Sequence, residues 1–461
     1  MKRNTMDFTT GSVAKKLLLF ALPIIFSTML QDLYNTADKI VVGQFAENGS
    51  LALAAVGAVG AATNLLVHLF SGLSLGINVI CANLRGARKY DELRSAMHTA
   101  LMLSVLAGVV VMVAGTFVAD PMLTFLKTPD SIREFSKTYM CICMLGVPAM
   151  LLYNSGAGIL LSNGDTKRPM IILSVSGLVN VVLNLVLVLG CGMGVEGVAI
   201  GTVASQTVSA IWVLIILFNP KDEYKMAVRY LRIDKRDTVN LIKVAVPTAV
   251  NNTVFSFSNI MMQSAVNTLG DMVIAGCTAA TGVINLIYLI PAGFYSATVS
   301  FAGQCYGARK FKRIDQVLWT NLAFSVGGIV FLMSVLSCFP RQVLALFNSD
   351  PAVVEGGLQK LMILGWGYII YCLQTAVAGC LHGIKKNTAT TVINLVFVCG
   401  TRIPWALFLF PLWPSAATLF LCYPVSWILC GTAQLILFLV SRKKLWSSCQ
   451  EELPAKASHD I

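Results

Sequence analysis

Long apolar runs broken by short charged segments recur along the whole chain, and each is long enough to cross a bilayer as a helix, which needs about 20 residues. Twelve can be marked, at 17–41, 51–80, 96–118, 138–162, 170–190, 197–219, 244–268, 273–302, 317–339, 357–381, 391–412 and 416–441. The pattern predicts an all-α membrane protein of twelve transmembrane helices. Only one polar stretch, 220–243, is both long and charged, and it parts the runs six and six. The expected organisation is an N-terminal segment 1–16, an N-lobe 17–219, a connection 220–243, a C-lobe 244–441 and a tail 442–461. From Leu445 onward the tail is mixed in charge and is expected to lack stable structure.

The halves resemble each other. Leu22-Pro23 is expected to open a long apolar helix, and Val246-Pro247 its counterpart 224 residues later. The turn Gly86-Ala87-Arg88-Lys89-Tyr90 returns as Gly307-Ala308-Arg309-Lys310-Phe311 at a spacing of 221. Two fused six-helix units follow. Six is even, so both have the same topology and should be related by a pseudo-two-fold axis along the membrane normal, with substrate near the midplane in the cleft between them.

Composition agrees with lipid as the main solvent. The 461 residues are 56% hydrophobic and 12% charged, with mean hydropathy +0.74, whereas soluble proteins are about 25% charged. The net charge of +12 does not indicate nucleic acid, because the cations sit in the short loops. On one side they are dense: Lys15, Lys16, Arg85, Arg88, Lys89, the 220–243 connection, Arg309, Lys310, Lys312, Arg313, Lys385, Lys386 and Arg442–Lys444. The opposite loops hold only Lys127, Arg133, Lys137, Arg341 and Lys360. By the positive-inside rule both termini face the cytoplasm, in a multi-pass cytoplasmic (inner) membrane protein. The first apolar run is too long for a signal peptide and lacks a small-residue cleavage site, so it is expected to be retained. The thirteen Cys lie mostly inside apolar runs without zinc spacing, as small core residues do.

Polar groups within the runs carry the candidate chemistry. Asn252, Ser256, Asn259, Gln263 and Asn267 recur at helical steps on one face of span seven. The equivalent face of span one holds Thr28, Asp32, Asn35, Lys39 and Gly43. Such faces either line a shared cleft or serve as interhelical hydrogen-bonding glue. Asp38 lies about 240° round from Asp32, on a face with Gln31, Tyr34 and Asn35; its counterpart in the second half is the apolar Met262. An ionised acid at bilayer depth costs about 2.5–3.5 kcal/mol, so it should pair or exchange a cation. Asn180 and Asn184, one turn apart on span five, either complete a pocket with Asp38 or pack helices. Arg402, mid-span in Thr401-Arg402-Ile403-Pro404, calls for an acid partner or a wet cavity, in a structural, gating or substrate-contacting role. His68, Met261 and Met262 read as packing residues. There is no nucleotide-binding Gly-x-x-x-x-Gly-Lys-Ser/Thr loop, no His-Glu-x-x-His and no Gly-x-Ser-x-Gly. An enzyme is not expected, nor a cofactor or resident metal; energy would come from an ion gradient, or the protein is passive.

Several segments together resemble one family. Leu33-Tyr34-Asn35-Thr36-Ala37-Asp38 with Val41-Val42-Gly43 is similar to the first-helix signature of multidrug and toxic compound extrusion (MATE) transporters. Leu161-Ser162-Asn163-Gly164-Asp165-Thr166-Lys167, Gly194-Val195-Glu196-Gly197-Val198-Ala199 and the repeated Gly-Ala-Arg-Lys turn resemble further landmarks, over about 17–441. The resemblance implies a V of two six-helix lobes and export of bulky, often cationic compounds in exchange for protons or sodium. It is closer to the DinF-like branch, whose span-one acid matches Asp38. Its span-five Asn and Asp match Asn180 and Asn184, the second an amide in place of an acid. Phe255 and Tyr371 stand where NorM-like members carry acids on spans seven and ten. An amide can accept hydrogen bonds or ligate sodium but cannot carry a proton, so Asp38 would serve alone.

The expectation is therefore a secondary active efflux transporter, working as a monomer in the bilayer, that exchanges organic small molecules for H+ or Na+. Asp38, Asn180, Asn184, Tyr34 and Asn35 would form the coupling site, Asp38 with Asn180 and Asn184 ligating sodium if that is the ion. Gln31, Asp32, Asn252, Phe255, Ser256, Asn259, Gln263, Tyr371 and Arg402 would line the substrate cleft. The alternative is a flippase or exporter of a lipid-linked saccharide or another specific metabolite. That function wants a cationic cavity, for which only Arg402 and Lys39 stand against Asp32 and Asp38.

Overall fold

The computed structural model describes residues 5–45, 49–125, 128–219, 226–347 and 350–457. Parts of the expected N-terminal segment (1–4), connection (220–225) and tail (458–461) lie outside the described residues, as do Lys127 and the side chain of His68. Among the described residues there is no strand. Twelve long helices run α1 Val13–Phe45, α2 Gly49–Gly86, α3 Tyr90–Phe125, α4 Asp130–Ser162, α5 Lys167–Leu185 and α6 Val195–Leu217. After them come α7 Lys235–Val266, α8 Asp271–Gly307, α9 Phe311–Cys338, α10 Pro351–Gly383, α11 Asn387–Asn394 and α12 Ala416–Ala457. Helical turns carry α11 on to Leu412.

Among the described residues, ten of these helices are long and apolar enough to cross a membrane. Neither α2, part of whose side chains lie outside the described residues, nor α7 is among the ten. In α7 the charged first turns and the amides at 251, 252, 259 and 263 dilute the apolar residues. Large side chains elsewhere face outward, with Phe117 80% and Phe331 72% exposed. Faces of this kind are stable only against lipid.

The two prolines do not open their helices. Pro23 lies inside α1, which starts at Val13, and Pro247 lies inside α7, which starts at Lys235. Proline removes one backbone donor and crowds the carbonyl four residues back, which bends a helix without ending it when neighbours hold both arms. Helix α12 also continues to Ala457, beyond the point where structure was expected to stop.

The repeat is deeper in the backbone than in the sequence. Arg88 and Arg309 both take left-handed conformations, with φ 57° and 56°. In each case the next N–H bonds back to the carbonyl five residues earlier, Lys89 to Leu84 at 3.0 Å and Lys310 to Cys305 at 2.8 Å. Gly164 (φ 79°) and Lys385 (φ 62°) form a second pair with the same closure, Asp165 to Leu160 at 3.0 Å and Lys386 to Leu381 at 2.9 Å. All four end a long helix with a Schellman cap. Three are built on cationic residues, which sit favourably at a helix C-terminus.

The chain divides into two compact units. One comprises residues 1–6, 26–85 and 89–249, the other 7–25, 86–88 and 250–461. In the first unit α4 packs against α3 and α6, and α5 against α6. In the second, α10 packs against α8, α9 and α12 around a core that includes Ile287, Met333, Leu361 and Leu419, all fully buried or nearly so. The described end of the connection is fastened rather than free. The His98 ring of α3 lies 3.2 Å from the Ala227 carbonyl, and Asp234 N–H donates to Thr99 Oγ1 at 3.1 Å.

The N-terminal segment is equally well held, within the second unit. Phe8 is fully buried, stacked on Phe301 at 4.4 Å and edge-on to Phe20 at 4.8 Å. Its N–H donates to Gln304 Oε1 at 3.1 Å, and its carbonyl accepts from Arg313 Nε at 3.2 Å. Lys16 and Lys310 donate to the carbonyls of Thr10 and Thr9 at 2.7 and 2.8 Å. The apolar Phe8 between polar neighbours was the one sequence signal for this docking.

Candidate functional site

In the first unit, α1, α5 and α6 bring together the acid and the two amides. Asn184 is fully buried on α5 and its Nδ2 donates to Asp38 Oδ1 at 2.5 Å. Its approach depends on Gly201 of α6, because a Cβ there would overlap Asn184 Oδ1. Asn180, one turn earlier, is 5% exposed and its Nδ2 lies 3.5 Å from Thr202 Oγ1. The Thr202 hydroxyl is also within hydrogen-bond reach of Asp38. Tyr139 and Cys143 of α4 stand near the same carboxylate. Two groups in this cluster lack partners: the side-chain oxygens of Asn180 and Asn184 are buried and accept no hydrogen bond. Such oxygens normally find a donor or an ion. A π-helical turn, Val186–Gly190, follows directly after α5, and insertions of this kind concentrate at functional sites.

Tyr34 is half-buried and turned toward the middle of α5, with its hydroxyl donating to the Ser174 carbonyl at 3.1 Å. Gly177 makes room for the ring, since a Cβ there would overlap it. Gln31, Asp32 and Asn35 are exposed on α1. Of the expected coupling residues, Asp38 and Asn184 are in direct contact, Asn180 joins them through Thr202, and Tyr34 braces α1 against α5 about one turn away. Thr202 was missed because a lone Thr in an apolar helix normally bonds back to its own turn, and this one does so too, to the Val198 carbonyl at 2.9 Å.

In the second unit, α7 presents Phe255, Asn259 and Gln263 as exposed residues, with Asn252 and Ser256 half-buried. Ser256 Oγ donates to the Asn252 carbonyl at 2.9 Å and Gln263 Nε2 to Asn267 Oδ1 at 3.0 Å, as expected of one helical face. Tyr371 sits in an aromatic cluster, 5.1 Å from the Trp427 ring, 5.4 Å from Tyr368 and 6.0 Å from Tyr288. Arg402 is fully buried. Helix α11 brings it in between two π-helical stretches, Leu395–Cys399 and Trp405–Leu409. Of the two expected surroundings, an acid or a wet cavity, no acid pairs with it among the described residues: its Nε donates to Ser426 Oγ at 3.2 Å and its Nη1 to Asn259 Oδ1 at 3.4 Å. Further back in this unit Asn394 Oδ1 accepts from Gln434 Nε2 at 2.8 Å and from Cys430 Sγ at 3.0 Å, a buried amide cluster the sequence did not reveal.

The comparisons with known proteins agree with this architecture. The MatE family model matches residues 23–186 and 247–408, two stretches that begin at the paired prolines. The chain is 30% identical over 418 residues to probable multidrug resistance protein YoeA of Bacillus subtilis, covering 87% of this chain and 88% of that one. It is 24% identical to probable multidrug resistance protein NorM of Thermotoga maritima, over 86% and 85%. A crystal structure of MATE in complex with MaL6 superposes with a TM-score of 0.87 at 20% identity, covering 97% of this chain and all of that one, and so shares the fold. With twelve long helices, a duplicated family match and relatives along nearly its whole length, the chain belongs to the MatE family, the multidrug and toxic compound extrusion transporters.

Proposed function

We propose that this multidrug efflux transporter is an antiporter that takes up a proton or a sodium ion at Asp38 in exchange for each exported organic compound, often a cation. The observation that carries this reading is the contact between Asp38 and Asn184 beside two buried amide oxygens that accept no hydrogen bond. The carboxylate alone suffices for a proton. With Thr202 Oγ1 and the two amide oxygens it also supplies the oxygen ligands that a hard cation prefers.

The coupling follows from differential affinity. A cation at Asp38 cancels the charge that Asn184 now satisfies and frees that amide to turn. The packing of α1 against α5 changes with it, and the conformation that binds the cation more tightly gains population. Bound substrate then leaves to the outside. The cation is then released to the cytoplasm and substrate reloads. In this reading both termini face the cytoplasm, the membrane is the bacterial cytoplasmic membrane, and the monomer suffices.

The test is efflux of a fluorescent organic cation from proteoliposomes under an imposed pH gradient, then a sodium gradient, with wild type and Asp38→Asn. Efflux driven by either gradient and lost in the variant supports the reading and identifies the ion. Gradient-driven efflux unchanged in Asp38→Asn would sink the assignment of Asp38. No efflux under either gradient would shift the cargo to a lipid-linked saccharide or another specific metabolite.

A further inference from the structure

The second unit holds a buried cation with no counter-charge. Arg402 is fully buried, yet no acid lies within ion-pair distance of it among the described residues. Its charge rests on aromatic faces instead: the guanidinium carbon is 4.1 Å from the Tyr423 ring centre, 5.2 Å from Phe255 and 6.0 Å from Trp427. Ring quadrupoles attract a cation but do not neutralise it. Hydrogen bonding is also incomplete. Nε is held by Ser426, Nη1 reaches Asn259 only at 3.4 Å, and Nη2 is buried with no partner at all. An unsatisfied buried guanidinium nitrogen is costly to keep. Here it is the open half of a fork whose other prong is weakly held.

We propose that Arg402 is a binding site for the carboxylate of a planar aromatic acid, which identifies a class of compound the transporter carries. This rests on the reading that the chain exports organic small molecules. A carboxylate matches the Nη1/Nη2 edge of a guanidinium with two parallel hydrogen bonds. Asn259 is exposed on α7 and holds Nη1 by a long bond, so a carboxylate arriving from that side displaces the amide oxygen and takes both nitrogens. Phe255, 37% exposed beside it, offers a ring face to the aromatic part of the ligand. The charge fits one negative group. Lys360, half-buried in the same unit, lies over Phe420 at 5.3 Å and is already bonded to Thr281 Oγ1 at 2.6 Å and the Cys277 carbonyl at 3.1 Å, so it is not free for a dianion.

The experiment measures equilibrium binding of 2-naphthoate and its neutral isostere 2-naphthamide to the purified full-length protein in detergent at pH 7. Phenyl phosphate serves as the dianionic comparison. Naphthoate should bind at least about tenfold more tightly than the amide, the worth of one charge-assisted hydrogen bond. Arg402→Gln should abolish that preference. Because removing a buried arginine can disturb folding, Asn259→Asp is the second variant. It keeps Arg402 and gives it an internal carboxylate, so it should raise the thermal unfolding midpoint and still eliminate naphthoate binding. Equal binding of naphthoate and naphthamide, undiminished naphthoate binding by Asn259→Asp, or tighter binding of phenyl phosphate would each overturn the proposal. Asp38→Asn should retain naphthoate binding, so failure of the ion-coupling reading and failure of this one are separable.

Discussion

Gly201→Ala tests the Asp38 site without altering any polar group. The added Cβ would overlap Asn184 Oδ1, so Asn184 must turn and its 2.5 Å bond to Asp38 is lost. A hydrogen bond to a charged group contributes about 1.5–3 kcal/mol. At about 1.4 kcal/mol per factor of ten, that is about 10- to 150-fold in an equilibrium constant. The bond is strongest while Asp38 is ionised and without a cation, so its loss penalises the cation-free state most. If the coupling ion is a proton, Gly201→Ala should therefore bind it more tightly and release it more slowly; if it is sodium, displacing the Asn184 oxygen removes a ligand and should weaken its binding. The half-saturating proton concentration for efflux should then fall by about tenfold or more, and the maximal rate should fall with it. Alanine is itself the better helix former by about 0.5–1 kcal/mol, so a non-specific loss of helix stability is not an alternative explanation. Gly57→Ala, where a Cβ meets nothing within 4 Å, is the matched control. The assay is efflux from proteoliposomes across a titration of the driving ion, with the ion-dependent rise in unfolding midpoint as a transport-free readout. If Gly201→Ala matches wild type in both, Asn184 does not govern the charge state of Asp38.

Three further outcomes are expected. Gly177→Val should displace the Tyr34 ring and break its bond to the Ser174 carbonyl; slowed efflux with an intact helical circular dichroism spectrum would show it, and normal transport would argue against a bracing role. Phe8→Ala should free residues 5–12, because truncating a buried Phe costs about 3–5 kcal/mol. The detached segment limits how much the rest of the protein loses. Hydrogen exchange should rise steeply in that segment and little elsewhere, and protection unchanged at 5–12 would contradict the docking. The same segment should depend on pH through Asp7. Burial works to raise its pKa, but Thr9 donates from hydroxyl and backbone at 2.7 and 2.8 Å and Lys16 and Lys310 stand near, so the net direction is below 3.8. A lowered folded-state pKa gives stability that is present above the unfolded value and is lost as pH falls through the folded one. Protection of residues 5–12, corrected for intrinsic exchange, should hold from neutral pH down to about 4 and decline below it. Asp7→Asn should lower it at neutral pH and flatten the curve.

Most of the fold was legible because lipid enforces it. An apolar run of the right length has only the helix available to satisfy its backbone. The paired prolines and Gly-Ala-Arg-Lys turns then announced the duplication. Helix boundaries were less legible where they depend on contacts between distant segments. Lys235–Lys243 reads as a charged connection, yet it is the first part of α7, in a segment anchored just upstream to Thr99. The second pair of caps was hidden because Gly164 and Lys385 share a backbone shape and not a residue type. At the site, Asp38 and Asn184 were marked by being polar where lipid discourages it, and the structure puts them in contact. Thr202 and Gly201 were not marked, since their importance lies in what they leave room for or reach across to. Beside Arg402, where an acid or a wet cavity was expected, the described residues place rings. Aromatic residues in a membrane helix carry no distinguishing signal until geometry shows a cation over them.

Duplication explains why the two units can carry opposite charges at depth. Each copy inherits a similar helix pattern, so a polar residue added to one is not forced on the other. Asp38 corresponds to Met262, which is 2% exposed and packs in the core of the second unit, its sulfur 3.8 Å from Cys422 Sγ. At the 221-residue spacing, Arg402 corresponds to Val181. An acid at 262 would have to displace a packed core side chain, and an arginine at 181 would enter an apolar stretch of α5 between Asn180 and Asn184. Each charge is thus affordable only in the unit that surrounds it with amides or with rings. A symmetric pair of acids would give two similar cation sites, with no division between driving ion and cargo. One acid and one arginine allow the first unit to respond to the ion gradient and the second to recognise an anionic group on the cargo. On that argument Asp38→Asn and Arg402→Gln should fail differently. The first should lose its dependence on the driving ion while still binding naphthoate. The second should keep ion-driven efflux of a simple organic cation and lose only the aromatic acid.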